Sequence, residues 1–215
     1  INYRDKKINV DTGFIVFNKL NYPSLLKLFD FYNVAYEDSD MSLSVSNLQN
    51  NIEWSGQSIN TIFADRYRIF DIKFLRFLID ILRFNRFVKK NIDELSNDRR
   101  PLSEWLKNKN FSEQFKENYI LPMSAAIWSM GSNDVLNYPI SNLFSFFNNH
   151  RLLHEKELRP QWLTVSNGSK SYIDKIISST NINTKLNSKI YKIQTNNRKF
   201  LLTDINGVEK EYDRI

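Results

Sequence analysis

The chain has 215 residues, of which 41% are hydrophobic and 14% aromatic, enough for the core of one large or two small globular domains. It contains no cysteine, which excludes disulfides, thiolate metal sites and a cysteine nucleophile within it. Its formal net charge is +6, and no stretch approaches the roughly 20 consecutive apolar residues of a membrane-spanning helix. We therefore expect a cytoplasmic protein that is soluble or peripheral to a membrane.

Short alternating strands are predicted near both ends of the chain, and most helices lie between them. In chain order, the predicted elements are a hairpin over residues 1–4 and 7–10 with a turn at Asp5-Lys6, a helix over 22–32, a hairpin over 41–48 and 52–54, helices over 71–90, 102–107, 112–128 and 140–153, a strand end at 164–165, a helix over 171–178, and antiparallel strands over 189–194, 200–204 and 209–212. Pro122 predicts a kink in its helix, because proline lacks an amide and clashes with the preceding turn. This order predicts an α+β fold.

The helix predicted over residues 71–90 has the clearest charge pattern. Charged residues recur at intervals of three and four, at Lys73, Arg76, Asp80, Arg83, Arg86 and Lys90. The positions between them form a broad apolar face, and we expect packing on the side of Leu75, Leu78 and Leu82.

This pattern is typical of a solvated surface helix, and it also suits contact with an anionic membrane surface. The basic residues available for such a contact are Lys73, Arg76, Arg83 and Arg86. If the contact exists, the sequence predicts that Phe77 or Phe84 stays exposed beside the arginines.

Two separate segments carry the strongest functional signal. The first is Val10-Asp11-Thr12-Gly13-Phe14, where Gly13 lets the backbone approach a flat ring or take a positive φ, and Phe14 could line the ring's edge. The second is the glycine turn Val165-Ser166-Asn167-Gly168-Ser169, which continues to a strand that includes Lys189 and Ile190. Taken alone, the first segment is better explained as a turn leaving an edge strand, and the second as an ordinary strand.

Together, the two segments resemble the flavin-containing amine oxidase superfamily, which includes monoamine oxidases, protoporphyrinogen oxidase and the phytoene and squalene desaturases. Leu121 to Ser129 and Arg159-Pro160-Gln161-Trp162 extend the resemblance to the bacterial branch of predicted FAD-binding amine oxidases. The resemblance covers almost the whole chain. Where the superfamily has a double glycine, this chain has Asn167-Gly168, a mild departure because asparagine tolerates the left-handed conformation.

The resemblance implies FAD as the cofactor. It implies that Thr12, Gly13 and Phe14 lie near the isoalloxazine, and that the backbone of Lys189 and Ile190 pairs with the adenine edge. It also implies a partial FAD-binding region formed by residues 1–18 and 165–215, with a substrate-binding region over residues 19–164 inserted between its strands.

The phosphate-binding fingerprint of a dinucleotide fold is missing. The chain has five glycines, and none of them forms the GxGxxG turn that lets backbone approach a pyrophosphate. Members of the superfamily carry that turn upstream of the position matching Ile1. We therefore interpret the chain as an internal piece of a longer enzyme, inactive by itself.

A hydride-transferring flavoenzyme needs a water-poor substrate cavity rather than a protein nucleophile. We expect Trp128, Met130 and Trp162 to line that cavity, although aromatic residues at helical spacing usually form an ordinary core. His150 and His154 are four residues apart, but no third ligand motif accompanies them and no metal is assigned.

The sequence thus favours a flavin-dependent oxidoreductase that acts on a small amine or on an apolar lipid or isoprenoid substrate. The alternative is a non-catalytic basic module that binds nucleic acid or an anionic membrane surface. Nucleic acid is not favoured, because the chain lacks the signatures of helix-turn-helix, zinc-finger and RRM domains.

Overall fold

The structure is a computed structural model that describes residues 2–8, 10–196 and 198–215. It is a mixture of helices and small sheets, and every strand pair in the described part is antiparallel, in agreement with the predicted α+β class. The chain forms two compact units, Ile1–Ser169 and Lys170–Ile215. The predicted division into a cofactor region and a substrate region stays a prediction.

The first unit contains most of the helices. Its elements are β1 (Asn2–Tyr3), β2 (Lys6–Lys7), β3 (Phe17–Asn18), α1 (Pro23–Phe31), β4 (Tyr36–Ser39), β5 (Ser44–Asn47), β6 (Ile52–Ser55), α2 (Ile59–Ile62), a 3₁₀ turn (Arg66–Phe70), α3 (Ile72–Lys90), α4 (Ile92–Leu95), α5 (Leu102–Lys107), α6 (Glu113–Phe115), a π-helical turn (Lys116–Ile120), α7 (Leu121–Trp128), α8 (Ser132–Leu136), α9 (Ile140–Asn149), a 3₁₀ turn (Lys156–Leu158) and β7 (Trp162–Val165). β7 lies between β3 and β4 in a three-stranded sheet, while β1 with β2 and β5 with β6 form separate hairpins.

The first hairpin turns one residue earlier than the sequence predicts. Arg4 and Asp5 both have positive φ and form the turn, rather than Asp5-Lys6. Each predicted strand also includes one residue outside the described part, Ile1 in the first strand and Asn9 in the second.

Helix α3 packs through aromatic side chains. Asp71 caps its N-terminus by accepting hydrogen bonds from the backbone N–H groups of Lys73 and Phe74. The side chains that it buries most fully are Phe74, Phe77, Asp80, Phe84 and Val88. These positions follow the helical repeat and place large rings in the core, where they remove more apolar area from water than leucines do.

Two expectations about α3 are therefore wrong. Leu82 is 65% exposed, so it does not belong to the packed side, and Leu75 and Leu78 are only half-buried. Phe77 and Phe84 are fully buried instead of exposed.

A π-helical turn precedes Pro122 where the sequence predicts a kink. Proline has no N–H to donate to the carbonyl of Asn118, four residues earlier. That carbonyl instead accepts a hydrogen bond from the indole N–H of Trp54, at 3.1 Å. The local widening of the helix thus replaces a lost backbone donor with a side chain from the β5–β6 hairpin.

Helix α9 ends at Asn149, four residues before its predicted end. Arg151 takes the left-handed conformation, with φ of 54°, and the backbone N–H of Leu152 donates to the carbonyl of Phe147 at 2.9 Å. This is a Schellman motif with arginine in the position that glycine usually occupies.

The second unit is built on one helix and one sheet. It contains α10 (Lys170–Ser179), β8 (Ile190–Asn196), β9 (Lys199–Asp204) and β10 (Glu209–Tyr212), with β9 in the middle of the sheet. The predicted turn at Asn206-Gly207 is confirmed, and Gly207 has a φ of 78°. The Asp204 carboxylate accepts hydrogen bonds from the backbone N–H groups of Val208 and Asn206, which lower its pKa.

Candidate functional site

In the first unit, the two segments singled out by the sequence run side by side. β3 pairs with β7, so that Phe17 lies opposite Leu163. Beyond the paired residues, the Thr164 hydroxyl donates a hydrogen bond to the carbonyl of Ile15, at 2.8 Å. The segment that leads into β3 is therefore hydrogen-bonded to β7, although about 150 residues separate the two in sequence.

The Asp11 carboxylate joins the two segments directly. Its two oxygens lie 3.0 and 2.9 Å from the backbone nitrogen of Ser169, which donates to them. Gly168 has a φ of 82°, and a Cβ there would lie 3.4 Å from the Asp11 carboxylate. Asn167 also has a positive φ, of 65°, so the prediction that Asn167-Gly168 supports a left-handed turn is confirmed.

Between the hydrogen-bonded residues Asp11 and Ile15, Thr12 and Gly13 form an exposed bend. Gly13 does not take a positive φ, so this part of the expectation is wrong; Phe14 takes it instead, at 51°. A left-handed phenylalanine costs about 1–3 kcal/mol, and such strain persists where neighbouring contacts hold the backbone on both sides. Here Asp11 and Ile15 provide those contacts.

The bend leaves open space around Gly13. Among the described residues, no heavy atom beyond the adjacent residues lies within 4 Å of the position that a Cβ on Gly13 would take. Neither packing nor backbone conformation explains a glycine at this exposed position. Val10 and Ile15 are exposed on either side, so the bend presents exposed backbone between apolar side chains.

In the second unit, Lys189 and Ile190 lie at the start of β8. β8 is an edge strand of its sheet, and the register shifts between Ile190 and Lys192. The carbonyl of Lys189 accepts a hydrogen bond from the backbone N–H of Ile205. The expected contact of Lys189 and Ile190 with adenine stays a prediction.

The predicted substrate-lining residues pack in the first unit. Trp162 is buried, and Trp128 and Met130 are half-buried against the core. The two tryptophans belong to one column of aromatic contacts, in which Phe146 lies 4.9 Å from Trp128 and 3.9 Å from His150, and His150 lies 6.1 Å from Trp162. Their role as lining residues stays a prediction.

His150 is the member of this column that sequence reasoning missed. Its Nδ1 donates to the carbonyl of Phe146 at 3.1 Å, which leaves Nε2 to accept from the Tyr22 hydroxyl at a long 3.4 Å. Burial lowers the pKa of His150 and favours this neutral form. The spacing from His154 drew attention to a metal pair, but His154 lies beyond the end of α9, and the described residues contain no cluster that could hold a metal ion.

A groove of about 550 Å³ lies beside the β3–β7–β4 sheet. Its walls are Lys19, Leu20, Tyr36, Asp38, Pro160, Gln161 and Leu163. The Lys19 ammonium lies 6.0 Å from the centre of the Tyr36 ring, and the amide of Gln161 donates to the carbonyl of Ser39. The groove is mostly apolar, and Pro160 and Gln161 in its wall belong to a segment that carries part of the family resemblance.

Comparisons with known proteins give no family. No protein-family model and no curated protein matches the chain. In the described part, no helix is both long and apolar enough to cross a membrane.

Proposed function

We propose that this chain forms part of an FAD-dependent oxidoreductase, with the bend at Thr12, Gly13 and Phe14 against the isoalloxazine. The observation that carries the proposal is the exposed Gly13, whose missing side chain has no structural explanation within the described residues. The resemblance to flavin-containing amine oxidases predicts a flavin contact at this same position.

The chain's own residues would hold the ring's surroundings in place. The Asp11 carboxylate fixes the bend to the backbone of Ser169, and the Thr164 hydroxyl fixes the carbonyl of Ile15. Both anchors come from the chain's own residues, and a bend held in this way needs little reordering when it binds a ligand. When bound, FAD supplies hydride-accepting chemistry, so that no protein nucleophile is needed.

The finer architecture is part of the same proposal. Residues 1–18 and 165–215 would contribute to the cofactor-binding region, with Lys189 and Ile190 at the adenine, and residues 19–164 would form the substrate-binding region. An apolar lipid, an isoprenoid or a small amine is the substrate class. The groove beside the sheet supports an apolar substrate, because Leu20, Pro160 and Leu163 are in its lining, which also includes the charged groups of Lys19 and Asp38.

The proposal is tested by Gly13→Val in the complete gene product that contains these 215 residues. The fold should tolerate the new side chain, because the site is exposed and open. Bound flavin, measured by absorbance after purification, should fall at least about tenfold, since a branched side chain occupies the space of the ring.

Gly56→Val is the matched control. Gly56 is also exposed, its φ also lies outside the left-handed region, and a Cβ there would meet only the Trp54 ring, at 3.8 Å. The control variant should keep the flavin content of the wild type. Equal flavin content in both variants would show that Gly13 belongs to an ordinary turn.

A further inference from the structure

One surface of the first unit combines exposed apolar side chains with basic ones. It comprises the 3₁₀ turn Arg66–Phe70 and the outward side of α3, and we name it the basic helix face. Its most exposed large apolar side chains are between 55% and 86% exposed, at Tyr67, Phe70, Ile72, Ile79 and Leu82. Isolated exposed apolar residues are ordinary, but a group of five on neighbouring turns indicates a contact surface.

Helical geometry places these side chains together. Ile72 and Ile79 are seven residues apart, and therefore differ by only about 20° around the axis. Leu82 is three residues beyond Ile79, on the adjoining side of the same face. Arg76 and Arg86 are exposed and lie between and beyond these residues, so basic groups border the apolar ones along the helix.

The chain's net charge is concentrated in this segment. Residues 66–90 contain eight lysines and arginines against two carboxylates, a balance of +6. The other residues of the chain contain 22 basic and 22 acidic side chains, so they contribute no net charge. The segment of 25 residues thus accounts for the whole excess of positive charge.

Most of these basic groups are not neutralised by neighbours. Within the part of the chain that the structure describes, no carboxylate lies within ion-pair distance of Lys73, Arg76, Arg86 or Lys90. Arg83 differs, because its guanidinium lies 2.7 Å from the Asp80 carboxylate. Arg83 is therefore not counted among the residues available to an external anion.

We propose that the basic helix face docks on an anionic lipid membrane surface. Phe70, Ile72 and Ile79 would enter the boundary between headgroups and acyl chains in place of Phe77 and Phe84, which are buried. Arg76 and Arg86 would contact lipid phosphates. The distribution of apolar and basic groups along one helix is what interfacial binding requires. This inference does not depend on the flavin proposal.

Charge and side-chain type separate this partner from two others. A second copy of the chain would bring the same arginines face to face, where like charges repel. Nucleic acid would contact the basic groups but would leave the aliphatic Ile72, Ile79 and Leu82 without a suitable partner. A bilayer satisfies both kinds of side chain at once.

The test is co-sedimentation of the chain with vesicles made of equal parts phosphatidylglycerol and phosphatidylcholine, compared with vesicles of phosphatidylcholine alone. The wild type should bind the anionic vesicles and should be released by salt. Each basic residue near such a surface contributes about fivefold to binding, so Arg76→Glu with Arg86→Glu should weaken it at least about 25-fold. Phe70→Ser with Ile72→Ser should weaken binding while leaving the net charge unchanged.

Lys27→Glu with Arg99→Glu is the matched control, since it makes the same change in net charge at exposed positions outside the face. This control should weaken vesicle binding less than about a third as much as the paired arginine variant does. Circular dichroism should show that each variant keeps the wild-type helix content.

Four outcomes would overturn the proposal. One is that the wild type leaves anionic vesicles unbound, and another is that the face and control variants weaken binding equally. A dimer by light scattering that Phe70→Ser with Ile72→Ser converts to monomer would assign the face to a second copy. Salt-sensitive binding of a DNA oligonucleotide, without vesicle binding, would assign it to nucleic acid.

Discussion

Removing the guanidinium of Arg83 should destabilise the first unit more than any other single loss of charge on α3. Asp80 is fully buried, and its carboxylate has two partners. One is the guanidinium of Arg83 at 2.7 Å, and the other is the backbone N–H of Ser112 at 2.9 Å. Arg83 also donates to the carbonyl of Asn110, so the pair holds the loop before α6 against α3.

The expected cost follows from what Arg83→Gln leaves behind. A buried carboxylate would keep only one of its two partners, and breaking a fully buried pair costs about 3–5 kcal/mol. Because half of the Arg83 side chain is exposed, water can partly replace it, so we expect about 2–3 kcal/mol. Asp80→Asn in the Arg83→Gln background should recover part of this loss, since it removes the unpaired charge and keeps an acceptor for Ser112.

Urea unfolding monitored by circular dichroism measures both effects. Arg76→Gln is the control on the same helix, because Arg76 is exposed and has only a 3.4 Å contact with Asn110; its cost should stay below about 0.5 kcal/mol. The reasoning fails if Arg83→Gln costs no more than this control. It also fails if the double variant of Asp80 and Arg83 is less stable than Arg83→Gln alone.

Two further predictions concern the first unit. Burial lowers the pKa of both histidines, so below about pH 6.5 the unfolded chain binds protons that the folded chain does not. Stability should therefore be full above that pH and decrease below it. His150→Gln should reduce the difference in urea midpoint between about pH 7.5 and about pH 5.5. Trp54→Phe should cost about 1–3 kcal/mol in the same assay, because the carbonyl of Asn118 loses its donor. This cost should shrink in a Pro122→Ala background, where a backbone N–H returns. An unchanged cost there would contradict the explanation of the π-helical turn.

Local sequence signals predicted much of the fold. Leu102–Lys107 and Glu209–Tyr212 have the predicted bounds, because short-range patterns determine such elements. The end of α9 could not be read in this way, since its Schellman motif uses Arg151 rather than glycine. On α3, a leucine side and a phenylalanine side both follow the helical repeat, so the sequence alone could not show which of them is buried. Tertiary packing selects the larger rings.

The candidate site was only partly predictable. The glycine turn at Asn167-Gly168 was readable, because few residues tolerate the left-handed region. The hydrogen bond from Ser169 to Asp11 was not, since it joins residues 158 positions apart and depends on the pairing of β3 with β7. The groove likewise depends on long-range pairing, because β3, β7 and β4 form one sheet beside it.

The absorption spectrum of the purified complete gene product tests the central proposal most directly. Flavin bands are expected in the visible region, and denaturation is expected to release FAD in an amount close to that of the protein. A colourless protein that fails to take up added FAD, while circular dichroism shows it folded, would contradict the account.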